Sequence, residues 1–401
     1  MLVINKNATR GAYPGELRDI LSIAEAKRTR AWLSRWSQLA PEPTPLWQLP
    51  DMAEELGVAG IFVKDESKRS SLGSFKALGA PAALVRLILR AHPAWDPVDL
   101  LRGTHAAELQ SLVVISATDG NHGRALAAAA QSIGVRCVIV LHRHVSVERE
   151  TAIAAFGAEI VRIEGNYDAS VAHAAALAQE NGWQVVSDTS YAGYEDIPRD
   201  VMRGYGILAD EVMEQQEGTA MFSHVILQGG VGGLAAGVAS YLWEQYGEKR
   251  PTLIVVEPRQ ADCLLQSAIN GHASNATGSV DSVMAGLACG ETSPLAWRFL
   301  APSVDAFLTI EDGDAVEAMR LLARGSAHDS PIVSGESGAA GIAALRVLTL
   351  SDDLWRKVRL DVRSKVLLIS TEGATAPSVY RDLVGLDADD VLRRQSAPTR
   401  L

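Results

Sequence analysis

Along this chain, short apolar runs rich in β-branched residues alternate with longer stretches in which alanine and leucine recur at helical spacing. The runs at 112–116, 137–141, 159–163 and 184–188 predict strands, and the stretches 123–133, 149–156 and 169–180 between them predict helices. Strand, helix, strand at this spacing predicts βαβ units and a parallel sheet, since a parallel neighbour is reached only by a crossover. A second series follows residue 220, with strands at 224–228, 253–257 and 366–370 and a helix at 234–246. Residues 1–75 hold mixed elements ending in a strand-like run at 61–64 and are expected to fold with the C-terminal half. The expected architecture is therefore α/β in two domains, a large one from 1–75 and 216–401 and a smaller inserted one from 76–215. Each would have a mostly parallel sheet flanked by helices. The stretch 266–282, rich in Asn, Gly, Ser and Ala, reads as a mobile loop, and the tail beyond about Leu392 as frayed.

Composition narrows the function classes. A chain of 401 residues, 47% hydrophobic and 21% charged, can bury more than one core. The formal net charge of −11, with no basic stripe, argues against nucleic acid as a partner. Polar and charged residues break every apolar run before membrane-spanning length, so no membrane partner is expected either. The first residues lack a charged-then-apolar signal pattern, and a cytoplasmic protein is the expectation. Three cysteines are too few for a disulfide framework; Cys137 lies in an apolar run and reads as a buried thiol. The nine histidines show no ligand spacing, so no catalytic metal is expected.

Three segments carry candidate chemistry. In the first, Lys64-Asp65-Glu66-Ser67 is followed by Gly73-Ser74-Phe75-Lys76, and Lys76 opens an apolar helix. A lysine there faces the positive end of the helix dipole. The misfit would be relieved by a neutral, covalently engaged amine, and a depressed lysine pKa suits imine chemistry. A solvated surface lysine fits the same local sequence. In the second, Thr118-Asp119-Gly120-Asn121-His122-Gly123 follows a strand and opens a helix, a turn whose N–H groups suit a carboxylate. Asp119 puts a negative charge into that turn, and an ordinary N-cap is its plain alternative. In the third, Gln228 precedes Gly229-Gly230-Val231-Gly232-Gly233 and another helix. So many glycines let N–H groups converge on a phosphate, with tight helix–sheet packing as the alternative. Gly230, Gly232 and Ala235 also fit a dinucleotide fingerprint, and Glu257 lies where a ribose-binding acid would be, so a nicotinamide-dependent oxidoreductase is a rival reading.

Taken together, these segments resemble the fold type II pyridoxal-phosphate enzymes of the tryptophan-synthase-β type, and within them the diaminopropionate ammonia-lyases. The likeness includes Met284-Ala285-Gly286-Leu287-Ala288-Cys289-Gly290 and Ser370-Thr371-Glu372-Gly373, and runs in order from about Gly11 to about Pro377. The resemblance implies pyridoxal 5′-phosphate carried by Lys76 as a Schiff base. Phe75 would pack near its ring, Asn121 would hydrogen-bond its phenolic oxygen, and Gly229, Gly230, Val231, Gly232 and Gly233 would bind its phosphate. Ser370, or Thr371 one residue on, would meet the pyridine nitrogen. Asp188, which alone reads as a strand-end turn former, would be a second active-site carboxylate. A homodimer and a small amino-acid substrate are also implied.

Asp119 is the most informative position. The related hydroxyamino-acid dehydratases resemble this chain but carry an uncharged residue there. A carboxylate in that turn repels the substrate's own unless the substrate brings a cation, as the β-ammonium of 2,3-diaminopropionate does. Asp119 and Asp188 would hold that amine charged and favour its departure as ammonia. Lys76 and Asp119 are the two candidate bases, one for each enantiomer if they lie on opposite faces of the cofactor. A dehydratase acting on serine, threonine or hydroxyaspartate, and a non-catalytic binding protein, remain alternatives at this point. Glu336, in Ser334-Gly335-Glu336-Ser337, reads as structural, and a disulfide between Cys263 and Cys289 is one way to pair two cysteines flanking the 266–282 stretch.

Overall fold

The apolar runs become strands of two sheets in the computed structural model, which describes residues 1–118, 120–165, 167–216 and 222–395. Seven strands make the larger sheet: β1 (Leu2–Ile4), β2 (Leu46–Gln48), β3 (Gly60–Asp65), β8 (His224–Gln228), β9 (Thr252–Pro258), β10 (Ala306–Ile310) and β11 (Lys365–Ser370). Their order is β1-β10-β9-β8-β11-β3-β2, parallel throughout except at the edges, where β1 and β2 run antiparallel to their neighbours. The smaller sheet holds β4 (Val113–Ala117), β5 (Arg136–His142), β6 (Glu159–Ile163) and β7 (Gln184–Val185), all parallel in the order β6-β5-β4-β7. The fold class is thus α/β with two mostly parallel sheets, as the alternation predicts. Among the described residues no helix is long and apolar enough to cross a membrane.

The helix Asp196–Gln215 sits between the helices Lys76–Ala91 and Gly233–Tyr246, and its apolar face reads straight into the core. Its approach to the Lys76 helix tolerates no side chain at Gly204, where a Cβ would lie 2.0 Å from the Leu78 carbonyl oxygen. One apolar cluster runs through these helices and both sheets.

A buried charge cluster fixes the segment that leads to Lys76. Lys64 Nζ donates to Glu211 Oε2 and to the Thr44 carbonyl, both at 2.7 Å, and to Gln215 Oε1 at 2.9 Å. Arg69 reaches Glu66 at 2.8 Å and Glu211 at 2.6 Å. All four charged side chains are buried. The Lys64-Asp65-Glu66-Ser67 run therefore works mainly in structure: it ties β3 and the following turn to the helix Asp196–Gln215. Burial pulls the Lys64 amine below its ordinary value, while Arg69 and Lys64 together hold Glu211 below its own despite its burial.

Three expectations change. The run 184–188 pairs only over Gln184–Val185, with one more bond from Val186 N–H to the Ile115 carbonyl. The Ser187 N–H then goes to the Tyr194 hydroxyl at 2.9 Å, so the chain leaves the sheet just before Asp188. The stretch 266–282 begins inside the helix Cys263–Asn270, and its remainder is pinned by bonds such as Thr277 N–H to Asp262 and Val280 N–H to the Gln260 carbonyl. The Cys263 thiol donates to the Gly230 carbonyl at 3.4 Å, and Cys263 and Cys289 do not form a disulfide in this structure. The tail beyond 395 lies outside the described residues, as does Asp119.

Replacing Glu211 with alanine leaves two cations buried without their shared partner. The loss of stability should be about 3–5 kcal/mol, read by denaturant unfolding; a loss under about 1 kcal/mol would show that the cluster contributes little.

Candidate active site

The C-terminal ends of β8, β11 and β4 and the turn after β7 converge on one cavity of about 1050 Å³, measured with its open mouth. Its residues come from distant parts of the chain, and each arrives for a local reason. Lys76 is the first residue of its helix, and the turn before it is stitched to the turn after β11: Phe75 N–H donates to the Thr371 carbonyl at 3.0 Å and Gly373 N–H to the Gly73 carbonyl at 2.9 Å. Phe75, Lys76, Thr371 and Glu372 thereby line the same wall.

Lys76 Nζ lies 2.5 Å from Asp188 Oδ2. It also sits over the Phe75 ring at 5.2 Å and the Tyr205 ring at 5.8 Å. Burial disfavours the ammonium, but the Asp188 charge outweighs it, so the amine is held above its ordinary value. Before any covalent engagement, the carboxylate that folds against the amine, which the local sequence does not show, outweighs the helix dipole. Burial likewise works against the Asp188 charge, and the Lys76 ammonium, followed by His122, overcomes it and holds the carboxyl below the usual range. His122 Nδ1 is 3.9 Å from Asp188, while its Nε2 meets the Val186 carbonyl at 2.9 Å. Burial pushes the imidazole down, which keeps it neutral.

The glycine turn forms the opposite wall. Gly230 and Gly232 adopt φ of +62° and +102°, and a Cβ on Gly229 would stand 2.6 Å from Glu257 Cγ. The turn therefore accepts no side chain at its first position and delivers the N-terminus of the helix Gly233–Tyr246 to the cavity. Glu257 does not reach out as a ribose-binding acid. Its carboxylate is buried behind the turn, accepting N–H bonds from Leu264 at 2.9 Å and Leu265 at 2.8 Å, and burial pushes its pKa up to about 8. That geometry removes the case for a nicotinamide site.

Asn121 opens the helix Asn121–Ile133 and lines the cavity, with its Nδ2 donating to Glu372 Oε2. Glu372 Oε1 accepts from Ser337 N–H at 3.2 Å. Ser370 is not in the wall: its hydroxyl donates to Ser334 Oγ at 2.8 Å, and Thr371 faces the cavity in its place. Glu336 is also behind the wall, paired with Arg149 at 2.8 Å. Burial, and then the neighbouring Glu372, push its pKa up to about 7.

Sequence reasoning missed Tyr205, Gln228, Tyr167 and Arg149, all of which line the cavity. Tyr205 had a usable signal: Gly204-Tyr205-Gly206 inside a helix is a costly local choice that asks for a packing reason. Three buried polar atoms in the wall, Tyr205 OH, Gln228 Oε1 and His122 Nδ1, have no hydrogen-bond partner among the described residues. Together with the glycine cradle and the lysine, they fit a polar, phosphate-bearing aldehyde.

Comparison with known proteins agrees. A family model described as pyridoxal-phosphate dependent enzyme matches residues 38–372. The chain belongs to this family. Its cofactor is pyridoxal phosphate, and its fold is type II. The diaminopropionate ammonia-lyase of Escherichia coli K12 is 38% identical over 378 residues, which cover 93% of this chain and 94% of that protein. The crystal structure of the holo form of the Escherichia coli enzyme matches with a TM-score of 0.87 at 38% identity, covering 96% of each chain. Another, of the same enzyme with an aminoacrylate-PLP azomethine reaction intermediate, matches with a TM-score of 0.85 at 37% identity over 96% of each chain.

The raised pKa of Glu336 has a pH consequence. The folded chain keeps a proton that the unfolded chain releases near the ordinary value of 4.5, so stability falls as pH rises from there to about 7. Glu257 acts with the same sign over a window reaching about 8. Between pH 5 and 7.5, Tm should fall less steeply in Glu336→Gln than in the parent chain; parallel slopes would refute the assignment.

Proposed function

We propose that this chain is a pyridoxal-phosphate-dependent carbon–nitrogen lyase that converts 2,3-diaminopropionate, as the D isomer, the L isomer or both, to pyruvate and two ammonia. The observation that carries the reading is the Lys76 amine held 2.5 Å from Asp188 in a cavity faced by the glycine turn. The likeness to the Escherichia coli ammonia-lyase over nearly the whole chain supports it over a hydroxyamino-acid dehydratase.

When bound, the cofactor supplies a carbonyl that captures the substrate's α-amine and a conjugated ring that accepts electron density from Cα. Gly229, Gly230, Val231, Gly232 and Gly233 hold its phosphate, with the helix N-terminus behind them. Lys76 is the attachment residue, Phe75 packs beside the ring, and Asn121 turns a hydrogen bond to the phenolic oxygen. Thr371, which faces the cavity, takes the pyridine-nitrogen position first given to Ser370. A neutral hydroxyl there would leave that nitrogen largely unprotonated, which would suit β-elimination.

With the cofactor in place, Lys76 Nζ would take the Cα proton of one enantiomer. Asp188 then stabilises the ammonium that results, so the same ion pair that fixes the lysine also favours its action as a base. Asp119, outside the described residues, serves the other enantiomer. Asp119 and Asp188 keep the β-amine protonated until its C–N bond breaks, and it leaves as neutral ammonia. The aminoacrylate that remains is converted by one water to pyruvate and the second ammonia. The inserted unit 76–215, from the order of strands and helices, a cytoplasmic location, from the first residues' lack of a signal pattern, and a homodimer, from the family likeness, belong to the same proposal; sedimentation of the pure protein reads the assembly.

Pure protein should show a visible imine band, borohydride should fix a pyridoxyl group on the Lys76 peptide, and added diaminopropionate should release pyruvate. Lys76→Ala should lose the adduct and reduce turnover on the order of 10²–10⁴-fold; an adduct elsewhere would overturn the assignment. Asp119→Asn should cut turnover of the D isomer by a similar factor and leave the L isomer within about tenfold. Equal losses on both would rule out two bases on two faces.

A further inference from the structure

Apart from Lys76, one side chain with a fixed positive charge lines the cavity among the described residues, and the chemistry proposed above gives it no task. Arg149 stands in the first turn of the helix Val147–Ala154, whose N-cap Ser146 accepts its N–H. Its aliphatic chain passes the turn between β4 and the helix Asn121–Ile133: a Cβ on Gly120 would lie 3.6 Å from Arg149 Cδ and 3.9 Å from Nε. The guanidinium donates from Nη2 to Glu336 Oε1 at 2.8 Å, with the arginine side chain 20% exposed and the glutamate 4%.

Charge balance in the cavity gives this position its meaning. The described wall contains two carboxylates, Asp188 and Glu372, and the sequence places a third, Asp119, beside Gly120. Lys76, against Asp188 and reserved for the cofactor, is not available to a further carboxylate, and burial holds the His122 imidazole below its ordinary value. An amino-acid substrate adds one more carboxylate, and the N–H groups of a turn offer only partial charges against it. A guanidinium is a planar fork, and one edge held by Glu336 leaves donors on its other edge for a second carboxylate.

We propose that Arg149 is a specificity-determining residue, which receives the α-carboxylate of the substrate beside the Gly120 turn while Glu336 holds the guanidinium in place. This rests on the reading of the site as one for an amino acid. It adds to that reading the group that offsets the carboxylates around the β-amine. The neighbouring Glu148 reinforces the placement, since its carboxylate accepts from Ser378 Oγ at 2.5 Å and from Ser378 N–H at 3.3 Å. The turn that carries Arg149 is thus fixed to the segment following β11 at two points.

The test uses the cofactor-loaded enzyme and two ligands without a leaving group, alanine and alaninamide, which differ only in carrying a carboxylate or a neutral amide. Each is titrated by the change in the cofactor's visible absorbance, in the parent protein, in Arg149→Met and in Arg149→Lys. Arg149→Met should weaken alanine roughly 10- to 100-fold and alaninamide less than about threefold. Arg149→Lys, which keeps the charge and a bond to Glu336 but loses the fork, should fall between. Equal weakening of both ligands would make Arg149 a structural clasp and overturn the proposal, as would no weakening of either. Failure of the underlying reading looks different: the parent protein would release no pyruvate from diaminopropionate.

Discussion

The ion pair between Lys76 and Asp188 is the contact around which the rest of the molecule is arranged. One partner starts the helix that follows β3 of the larger sheet, and the other comes from the turn after β7 of the smaller one. A lysine at a helix N-terminus is poorly placed by the dipole alone. The carboxylate outweighs both the dipole and the burial and holds the unmodified amine above its ordinary value. Several nearby features bear on where these two groups lie. The charge cluster at Lys64, Glu66, Arg69 and Glu211 sets where the lysine segment begins, the tight crossing at Gly204 sets where its helix lies, and the early departure of the chain from β7 delivers the aspartate.

The site is built by making each wall from a different chain segment and leaving its polar atoms partly unmet. Strand ends of parallel sheets leave such a crevice by construction, because the connections depart in different directions there. Here the glycine turn leaves room for a phosphate, while Tyr205, Gln228 and His122 each present a buried polar atom with no partner among the described residues. Unmet buried groups cost stability in an empty protein, and a ligand that meets them recovers the loss.

Much of this was legible in the sequence, and the exceptions have physical reasons. Most of the parallel strands were visible because strands buried on both faces read as continuous apolar runs, as in β8, although β10 was not picked out. The glycine turn and the segment from Thr118 to Gly123 were visible because their chemistry is local. The edge strands β1 and β2 were not, since three residues are too few to show a period. The partner of Lys76 was not legible because Asp188 lies 112 positions away in the chain. Ser370 and Thr371 could not be told apart because alternate residues of an extended segment point to opposite sides, and only the fold shows which side is the cavity. Arg149 carried no local signal, since its partner Glu336 lies 187 positions away in the chain.

The seclusion of the Lys64 cluster also determines how the protein answers to its solvent. Counter-ions weaken attractions they can surround, and they surround exposed pairs far better than buried ones. Lys64, Glu66, Arg69 and Glu211 lie almost wholly out of reach of water, so concentrated electrolyte leaves their mutual attraction nearly intact. Ionic strength acts instead on peripheral pairs such as Arg136 with Glu159, so added salt loosens the rim of the molecule before the frame that leads to Lys76.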